Sequence, residues 1–115
     1  MIGFSRAVRD GRVVAVSGTA PVMPDGSPPP ADAYLQTRRC LEIIAAALEQ
    51  AGARIEDVVR TRTYLTRPKD WEEVGRAHGE VFGDVRPAST MVVVQALLDP
   101  RWLVEIEADA LIREA

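Results

Sequence analysis

Carboxylates and arginines recur at every second position in two segments of the chain, and they are the clearest candidates for chemistry. Glu105, Glu107 and Asp109 form one such set, and Arg60 and Arg62 form the other. Because successive side chains of a strand point to opposite faces, each set is expected on one face of a sheet. Carboxylates placed this way could hold a proton or a water molecule, or they could form structural ion pairs with the arginines.

The only histidine, His78, invites a role as a general base, but its surroundings favour a structural one. It lies on the apolar stripe of a predicted helix together with Trp71, where a packed or partly buried imidazole is expected. No second histidine or carboxylate stands at metal-ligand spacing on that helix, and one cysteine, Cys40, excludes multi-cysteine metal sites. The sequence therefore predicts no metal site and no cofactor.

Bulk composition limits the class of protein. The chain has 115 residues, enough for one hydrophobic core, so we expect a single domain over residues 1–115. The formal net charge is −3 and no basic stripe is present, which argues against a nucleic-acid partner. No apolar run is long enough to span a membrane and no basic, apolar signal opens the chain. A cytoplasmic protein without a membrane partner is expected.

Hydrophobic periodicity and turn residues predict five strands and two helices. The predicted strands cover 4–8, 12–19, 57–66, 86–94 and 103–112, and the predicted helices cover 32–51 and 70–83. Asp32 and Asp70 are the predicted N-caps, and Gly52 and Gly83 the predicted helix ends. Each helix then joins two parallel strands by a right-handed crossover, which places both helices on one face of a mixed sheet. The predicted class is α+β.

The other face of this sheet has no predicted cover. It would carry the charged sets described above beside apolar residues of the strand at 86–94, which reads as apolar on both faces. An exposed apolar patch of this kind is uncommon in monomers. We therefore predict a closed homo-oligomer joined through this face, with a two-layer monomer as the alternative.

Several short motifs, taken in order, resemble one known family. They are Val16-Ser17-Gly18-Thr19, Gln36-Thr37-Arg38, Ala51-Gly52-Ala53 with Glu56-Asp57-Val58-Val59, Arg86-Pro87-Ala88, and Val104-Glu105-Ile106-Glu107-Ala108. In this order they resemble the RidA family, also called YjgF or L-PSP, over nearly the whole chain. The resemblance implies a chorismate-mutase-like fold, assembled as a homotrimer with ligand clefts between subunits.

The resemblance also implies which residues form the site. Active members hydrolyse reactive enamines and imines such as 2-aminoacrylate to a 2-keto acid and ammonia. An arginine after the Pro-Ala pair clamps the substrate carboxylate, a glutamate on the last strand positions water, and an N-terminal aromatic hydroxyl comes from a neighbouring subunit. The glutamate corresponds to Glu105, and the serine before the glycine to Ser17. The clamp position is Ser89, the tyrosine position is Phe4, and a frequent cysteine is replaced by Met91.

The exchange of the clamp arginine for Ser89 changes the expected function. A guanidinium offers charge and two parallel hydrogen bonds to a carboxylate, whereas a hydroxyl offers one neutral donor. Arg86 is close in sequence, but its odd offset in an extended segment before a proline points it to the opposite face, so whether it replaces the clamp stays open. For Glu105, a water-positioning role and a structural salt bridge across the oligomer, with Arg60 or Arg62, also both stay open.

We therefore expect a homotrimer that binds a small metabolite, such as a keto acid, an imine or an amino-acid-like molecule, without the usual 2-aminoacrylate deaminase activity. The alternative is an active imine or enamine deaminase-type hydrolase that uses Glu105. A third possibility is a ribonuclease or translation inhibitor, a label often attached to the family. The acidic composition and the absence of a histidine pair argue against it.

Overall fold

Five strands and two helices form the structure, a computed structural model that describes residues 2–113. The strands are β1 (Ala7–Asp10), β2 (Val13–Thr19), β3 (Val58–Leu65), β4 (Ala88–Val93) and β5 (Val104–Leu111), and the helices are α1 (Ala33–Gln50) and α2 (Trp71–Phe82). Short 3₁₀ turns, Ile55–Asp57 and Pro68–Asp70, precede β3 and α2. The predicted element order is confirmed, and β1 begins three residues later than the sequence pattern indicated.

The strands form one mixed sheet in the order β1-β2-β5-β3-β4. β5 runs antiparallel to both of its neighbours, β2 and β3, whereas β3 and β4 are parallel. The strands before and after each helix are therefore parallel, as predicted. Both helices pack on one face of the sheet, and the core between them includes Ile44, Leu48, Phe82 and Ile106.

The period-two pattern of β5 determines which of its residues join this core. Val104, Ile106, Ala108 and Ala110 are at most 1% exposed, and the three acidic residues between them point away from the helices. We call the surface remote from the helices the open face, because no described element covers it. This prediction from alternation is confirmed.

Helix α1 begins and ends as its sequence predicts. Asp32 is the N-cap, and its Oδ1 accepts a hydrogen bond from the Leu35 N–H at 2.9 Å. Gly52 follows the C-cap with φ +87°, a left-handed conformation that glycine adopts without a Cβ clash. Asp32 and Gly52 therefore determine where α1 begins and ends between β2 and β3.

Helix α2 departs from prediction at its N-terminus. Asp70 stands at the N-cap position, but its side chain makes no capping bond. Its carboxylate instead pairs with the Arg67 guanidinium, with Nε to Oδ2 at 2.7 Å and Nη2 to Oδ1 at 3.2 Å. Trp71 was expected on the apolar stripe but is 59% exposed, because Val74, Ala77 and Phe82 face the sheet.

Strand β4 carries apolar residues on both faces, and the protomer leaves both faces partly exposed, including the open face where the sequence predicted an uncovered apolar patch. It is an edge strand that pairs only with β3 within residues 2–113, and Val92 and Val93 are 42% and 52% exposed. An apolar run alone does not distinguish a central strand from an edge strand that another surface covers.

Two β-bulges shift the alternation of side chains in β2 and β3. The register with β5 slips between Val16 and Thr19 in β2, so both side chains are buried on the helix side. A second slip between Val58 and Arg60 buries Val58 and leaves Val59 41% exposed. The prediction that Val59 shares a face with the buried threonines of β3 is therefore wrong.

The open face mixes exposed apolar side chains with paired charges. Val8 and Val13 are more than half exposed there. Arg62 Nη1 lies 3.3 Å from both Glu107 and Asp109, and the Tyr64 hydroxyl donates to Glu107 at 2.9 Å. The predicted meeting of arginine and carboxylates on this face therefore occurs within one protomer.

Candidate functional site

A groove of about 550 Å³ opens where the N-terminal segment, the bulge of β2, α1 and β5 meet. Three charged side chains reach it, Arg6, Arg39 and Glu105. Its walls are mainly apolar and include Phe4, Ile43, Leu98 and Trp102. We call it the Glu105 groove, and its volume and mixed lining are typical of small-molecule sites.

Glu105 is a half-buried carboxylate without a hydrogen-bond partner among the described residues. It stands opposite Tyr64 on the central strand pair, so the sheet fixes its backbone. Burial raises the pKa of Glu105; the positive charge of Arg6 opposes this rise, and the negative charge of Glu107 adds to it. Neither Arg60 nor Arg62 pairs with Glu105 within the protomer, where Arg62 pairs with Glu107 and Asp109, and a salt bridge across the oligomer stays a prediction. Within the described residues, Glu105 is thus free to contact a ligand or water.

The bulge in β2 makes room for this carboxylate. A Cβ atom on Gly18 would overlap Oε2 of Glu105. The bulge brings the backbone of Gly18 against the side chain from the neighbouring strand, so a larger residue here would require the end of the Glu105 side chain to move. The Ser17-Gly18 pair is therefore part of the site through its glycine.

Ser17 holds the N-terminal segment over the groove. Its Oγ lies 2.6 Å from the carbonyl oxygen of Ser5 and 2.9 Å from that of Arg6, and its one hydroxyl hydrogen is shared between these two backbone acceptors. The Ser17 N–H donates to the Arg6 carbonyl as well. The hydroxyl is therefore engaged with the backbone of the segment that carries Phe4 and Arg6.

Arg6 and Arg39 are site residues that sequence reasoning missed. Arg6 Nη1 donates to the Gly18 carbonyl at 2.9 Å, to Thr19 Oγ1 at 2.8 Å and, more weakly, to the Ser17 carbonyl at 3.4 Å. Arg39 Nε donates to the Val22 carbonyl at 2.7 Å, and its Nη1 pairs with Glu42 at 3.2 Å. No local motif marks either arginine, because the partners of Arg6 lie 11 to 13 residues away and the Val22 carbonyl lies 17 residues from Arg39.

Ser89 and Met91 lie on the other side of the sheet from Glu105. Ser89 pairs with Thr61 in the β3–β4 register, whereas Glu105 stands opposite Tyr64. Thr61 and Tyr64 are three residues apart on β3 and point to opposite faces. One protomer therefore cannot bring the side chains of Ser89 and Glu105 to the same small ligand.

A chain of hydrogen bonds connects Ser89 to the histidine. Thr61 Oγ1 lies 2.9 Å from Ser89 Oγ and 2.8 Å from His78 Nε2. Burial lowers the pKa of His78, and its ring packs on Phe82 with 4.7 Å between centroids. His78 is thus a partly buried packing residue, as predicted, and the hydroxyl of Ser89 has a defined partner on the protein.

Arg86 does not have the extended conformation expected before a proline. Its φ is +57°, which is in the left-handed region that non-glycine residues rarely occupy. Its N–H donates to the Phe82 carbonyl at 2.8 Å and so closes the end of α2. The argument that placed its side chain by counting residues along an extended segment therefore does not apply.

The described residues contain no metal-ion site and no membrane span. Residues 2–113 hold no group of three His, Cys, Asp or Glu side chains placed to bind a metal. Neither helix in this range combines the length and apolarity needed to cross a bilayer.

Comparison with known proteins shows which family this chain resembles. Residues 1–112 match the family described as endoribonuclease L-PSP. The structure of Rv2704 from Mycobacterium tuberculosis, described as a member of the YjgF/YER057c/UK114 family, is 50% identical with a TM-score of 0.88, covering 96% of this chain and 88% of that one.

Two further relatives have names that refer to small molecules. A 2-iminobutanoate/2-iminopropanoate deaminase of Escherichia coli is 32% identical over 113 residues, which are 96% of this chain and 88% of the relative. The structure of E. coli TdcF with bound serine is 27% identical with a TM-score of 0.90, covering 98% of this chain and 91% of that one.

Proposed function

The chain belongs to the endoribonuclease L-PSP family, which includes the YjgF proteins, and on that premise we propose that it is a homotrimer that binds a small metabolite in clefts between its subunits. The ligand is a keto acid, an imine or an amino-acid-like molecule. The usual deamination of 2-aminoacrylate is absent or inefficient. The same proposal includes a single domain and a cytoplasmic location. The free, buried thiol of Cys40 is compatible with that location.

One observation carries the proposal: Glu105 and Ser89 face opposite sides of one sheet. A ligand that contacts both of these side chains must lie between two protomers. Glu105 brings an unpaired carboxylate to such a cleft, and Ser89 brings a hydroxyl instead of a guanidinium. Loss of one partner of a buried charge pair costs roughly 2–5 kcal/mol, or about 30-fold to several thousand-fold in affinity or rate.

The alternative is an imine or enamine hydrolase that uses Glu105. The raised pKa of Glu105 and its lack of a protein partner favour it, since a carboxyl with these properties can position and deprotonate water. The E. coli relative named as an iminobutanoate deaminase supports it too. Ribonuclease activity has less support, because a chain of net charge −3 with one histidine lacks a basic surface for RNA.

Ammonia release from enzymatically generated 2-aminoacrylate tests the choice between these functions. We expect little release by the wild-type protein. If the missing guanidinium is the cause, Ser89→Arg raises turnover by at least about 30-fold. Ser89→Gln is the matched control, because it places a long polar side chain at the same position without the positive charge.

Two outcomes would contradict the proposal. Turnover by the wild type at the rate of an active relative would establish the alternative enzyme. A folded Ser89→Arg trimer with no gain over Ser89→Gln would exclude clamp loss as the cause of low activity.

A further inference from the structure

Arg6 carries the only guanidinium of the Glu105 groove that has no carboxylate partner within residues 2–113. Arg39, the other arginine of the groove, is paired with Glu42. Arg6 is held through Nη1 alone, by three oxygens of the Ser17 to Thr19 segment. Its Nε and Nη2 have no hydrogen-bond partner among these residues, so one edge of the guanidinium stays available in a fixed orientation.

Arg6 and Glu105 interact electrostatically but form no ion pair within the described residues. The charge of Arg6 lowers the pKa of Glu105, yet no contact of 4 Å or less joins the two groups in the described chain. Both line the same groove. A small polar group can therefore lie between a fixed cation and a half-buried carboxylate, with its charge matched to the cation.

The rest of the groove is apolar and is not filled by the protomer. Phe4 and Leu98 are 65% and 93% exposed, and Trp102 and Ile43 also line the walls. A volume of about 550 Å³ falls within the range typical of drug-sized ligands, well above the need of a three-carbon acid. A ligand with a large apolar substituent would cover these walls, whereas pyruvate or 2-aminoacrylate would leave them in water.

From this arrangement we propose that Arg6 is the carboxylate-binding and specificity-determining residue of the groove, and that the groove takes 2-oxo or 2-imino acids with a branched or aromatic substituent. This inference rests on the proposed metabolite-binding function and names its ligand class. The carboxylate binds the free edge of Arg6, the substituent packs on Phe4 and Trp102, and the oxo or imino group faces Glu105. The anchoring cation then comes from the N-terminal segment of the protomer that supplies Glu105, and Ser89 is not required.

Calorimetric titration with 4-methyl-2-oxopentanoate tests the inference, with its neutral amide and with pyruvate as comparison ligands. We expect the wild type to bind the branched acid at least about tenfold more tightly than either comparison ligand. Arg6→Gln is expected to weaken binding of the acid about tenfold, equivalent to 1.4 kcal/mol, and to leave binding of the amide unchanged. Arg12→Gln, an identical charge change in the β1–β2 turn, is expected to have no effect.

Arg6→Gln also removes the bonds that hold the bulge, so a second variant keeps the experiment decisive. Arg6→Lys retains the charge without the planar fork, and we expect an intermediate loss of affinity. The comparison of acid and amide on the wild type needs no variant at all.

The inference is overturned if the wild type does not bind the branched acid, if the amide binds equally well, or if a folded Arg6→Gln protein keeps full affinity. In the last case the proposed metabolite-binding function still stands, with another cation as its anchor. Conversely, a monomeric mass or fast release of ammonia from 2-aminoacrylate would contradict the proposed function and leave the role of Arg6 intact.

Discussion

Glu105 and Glu107 are two residues apart on β5 and face the same side of the sheet, but their surroundings differ. Glu107 accepts a hydrogen bond from Tyr64 and pairs with Arg62. Glu105 is half-buried against the backbone of Gly18 and has no hydrogen-bond partner in residues 2–113. A charged group retained under such conditions reduces stability and is typical of sites that bind or catalyse.

This contrast predicts opposite effects of two matched substitutions. The folded pKa of Glu105 lies above its ordinary value of 4.5. Its contribution to stability is therefore fully present below that value and is lost as the pH rises through the folded pKa. At pH 7 we expect Glu105→Gln to raise the free energy of unfolding and Glu107→Gln to lower it by about 0.5–1 kcal/mol.

Urea unfolding at pH 7 and pH 4, at one protein concentration, measures both effects. The advantage of Glu105→Gln over the wild type should shrink toward pH 4, because protonation of Glu105 progressively removes the buried charge. A Glu105→Gln protein that is less stable than the wild type at pH 7 would mean that the carboxylate has a partner that stabilises its charge.

Gly18 supplies a second prediction at this scale. Its backbone is outside the left-handed region, so an alanine is tolerated there and only the end of Glu105 must move. We expect Gly18→Ala to change stability by less than about 1 kcal/mol and to weaken binding of 4-methyl-2-oxopentanoate by displacing the carboxylate. In a Glu105→Ala background, calorimetry should detect no further effect of Gly18→Ala, because the overlapping atoms are gone. Additive losses would contradict this coupling.

Bulges and turns, more than strand lengths, decide where the elements present their side chains. The slip in β2 brings Gly18 and Thr19 to the groove and gives Arg6 its acceptors. At the other end of the sheet, the connection from α2 to β4 contains Arg86 with φ +57° immediately before Pro87. Left-handed backbone in a non-glycine residue costs about 1–2 kcal/mol.

Replacing Arg86 by glycine should relieve the backbone strain in the connection between α2 and β4. Glycine adopts positive φ freely but adds entropy to the unfolded chain, so the two effects partly cancel. We expect Arg86→Gly to raise the free energy of unfolding by about 0.5–1 kcal/mol in urea titrations. Arg60→Gly on β3 is the control and is expected to destabilise. If Arg86→Gly is destabilising as well, the arginine side chain makes a contact in the assembly that outweighs its backbone strain.

At the scale of the whole molecule, the proposed trimer would form through the open face. Val8, Val13 and Val92 stay exposed there beside an ion-pair cluster that is already satisfied within the protomer. In such a trimer the apolar side chains would drive association, and the charges would fix its orientation.

Light scattering combined with size-exclusion chromatography tests assembly through this face. We expect a mass of about three times the 12.6 kDa of one chain at micromolar concentration. The double variant Val13→Lys/Val92→Lys should shift this mass toward the monomer and lower the thermal midpoint. Leu35→Lys, an exposed apolar position on α1, is the matched control and should remain trimeric. A monomeric wild type, or a trimer that survives the double variant, would exclude assembly through this face.

Much of this architecture follows from the sequence alone, because it depends on short-range patterns. The alternation of β5, the caps of α1 and the two crossovers each involve residues close in the chain, and the order of motifs identified the family. Glu105 was recognised as a candidate in the same way.

The contents of the groove depend on contacts that no local pattern encodes. Arg6 reaches the site through carbonyl groups eleven and twelve residues away, at a bulge that shifts the alternation of β2. Ser89 and Glu105 face opposite sides because β5 lies between β2 and β3 and because of the register of each strand pair. Sequence periodicity predicts which residues of one strand share a face, but only the register between strands determines which side chains meet.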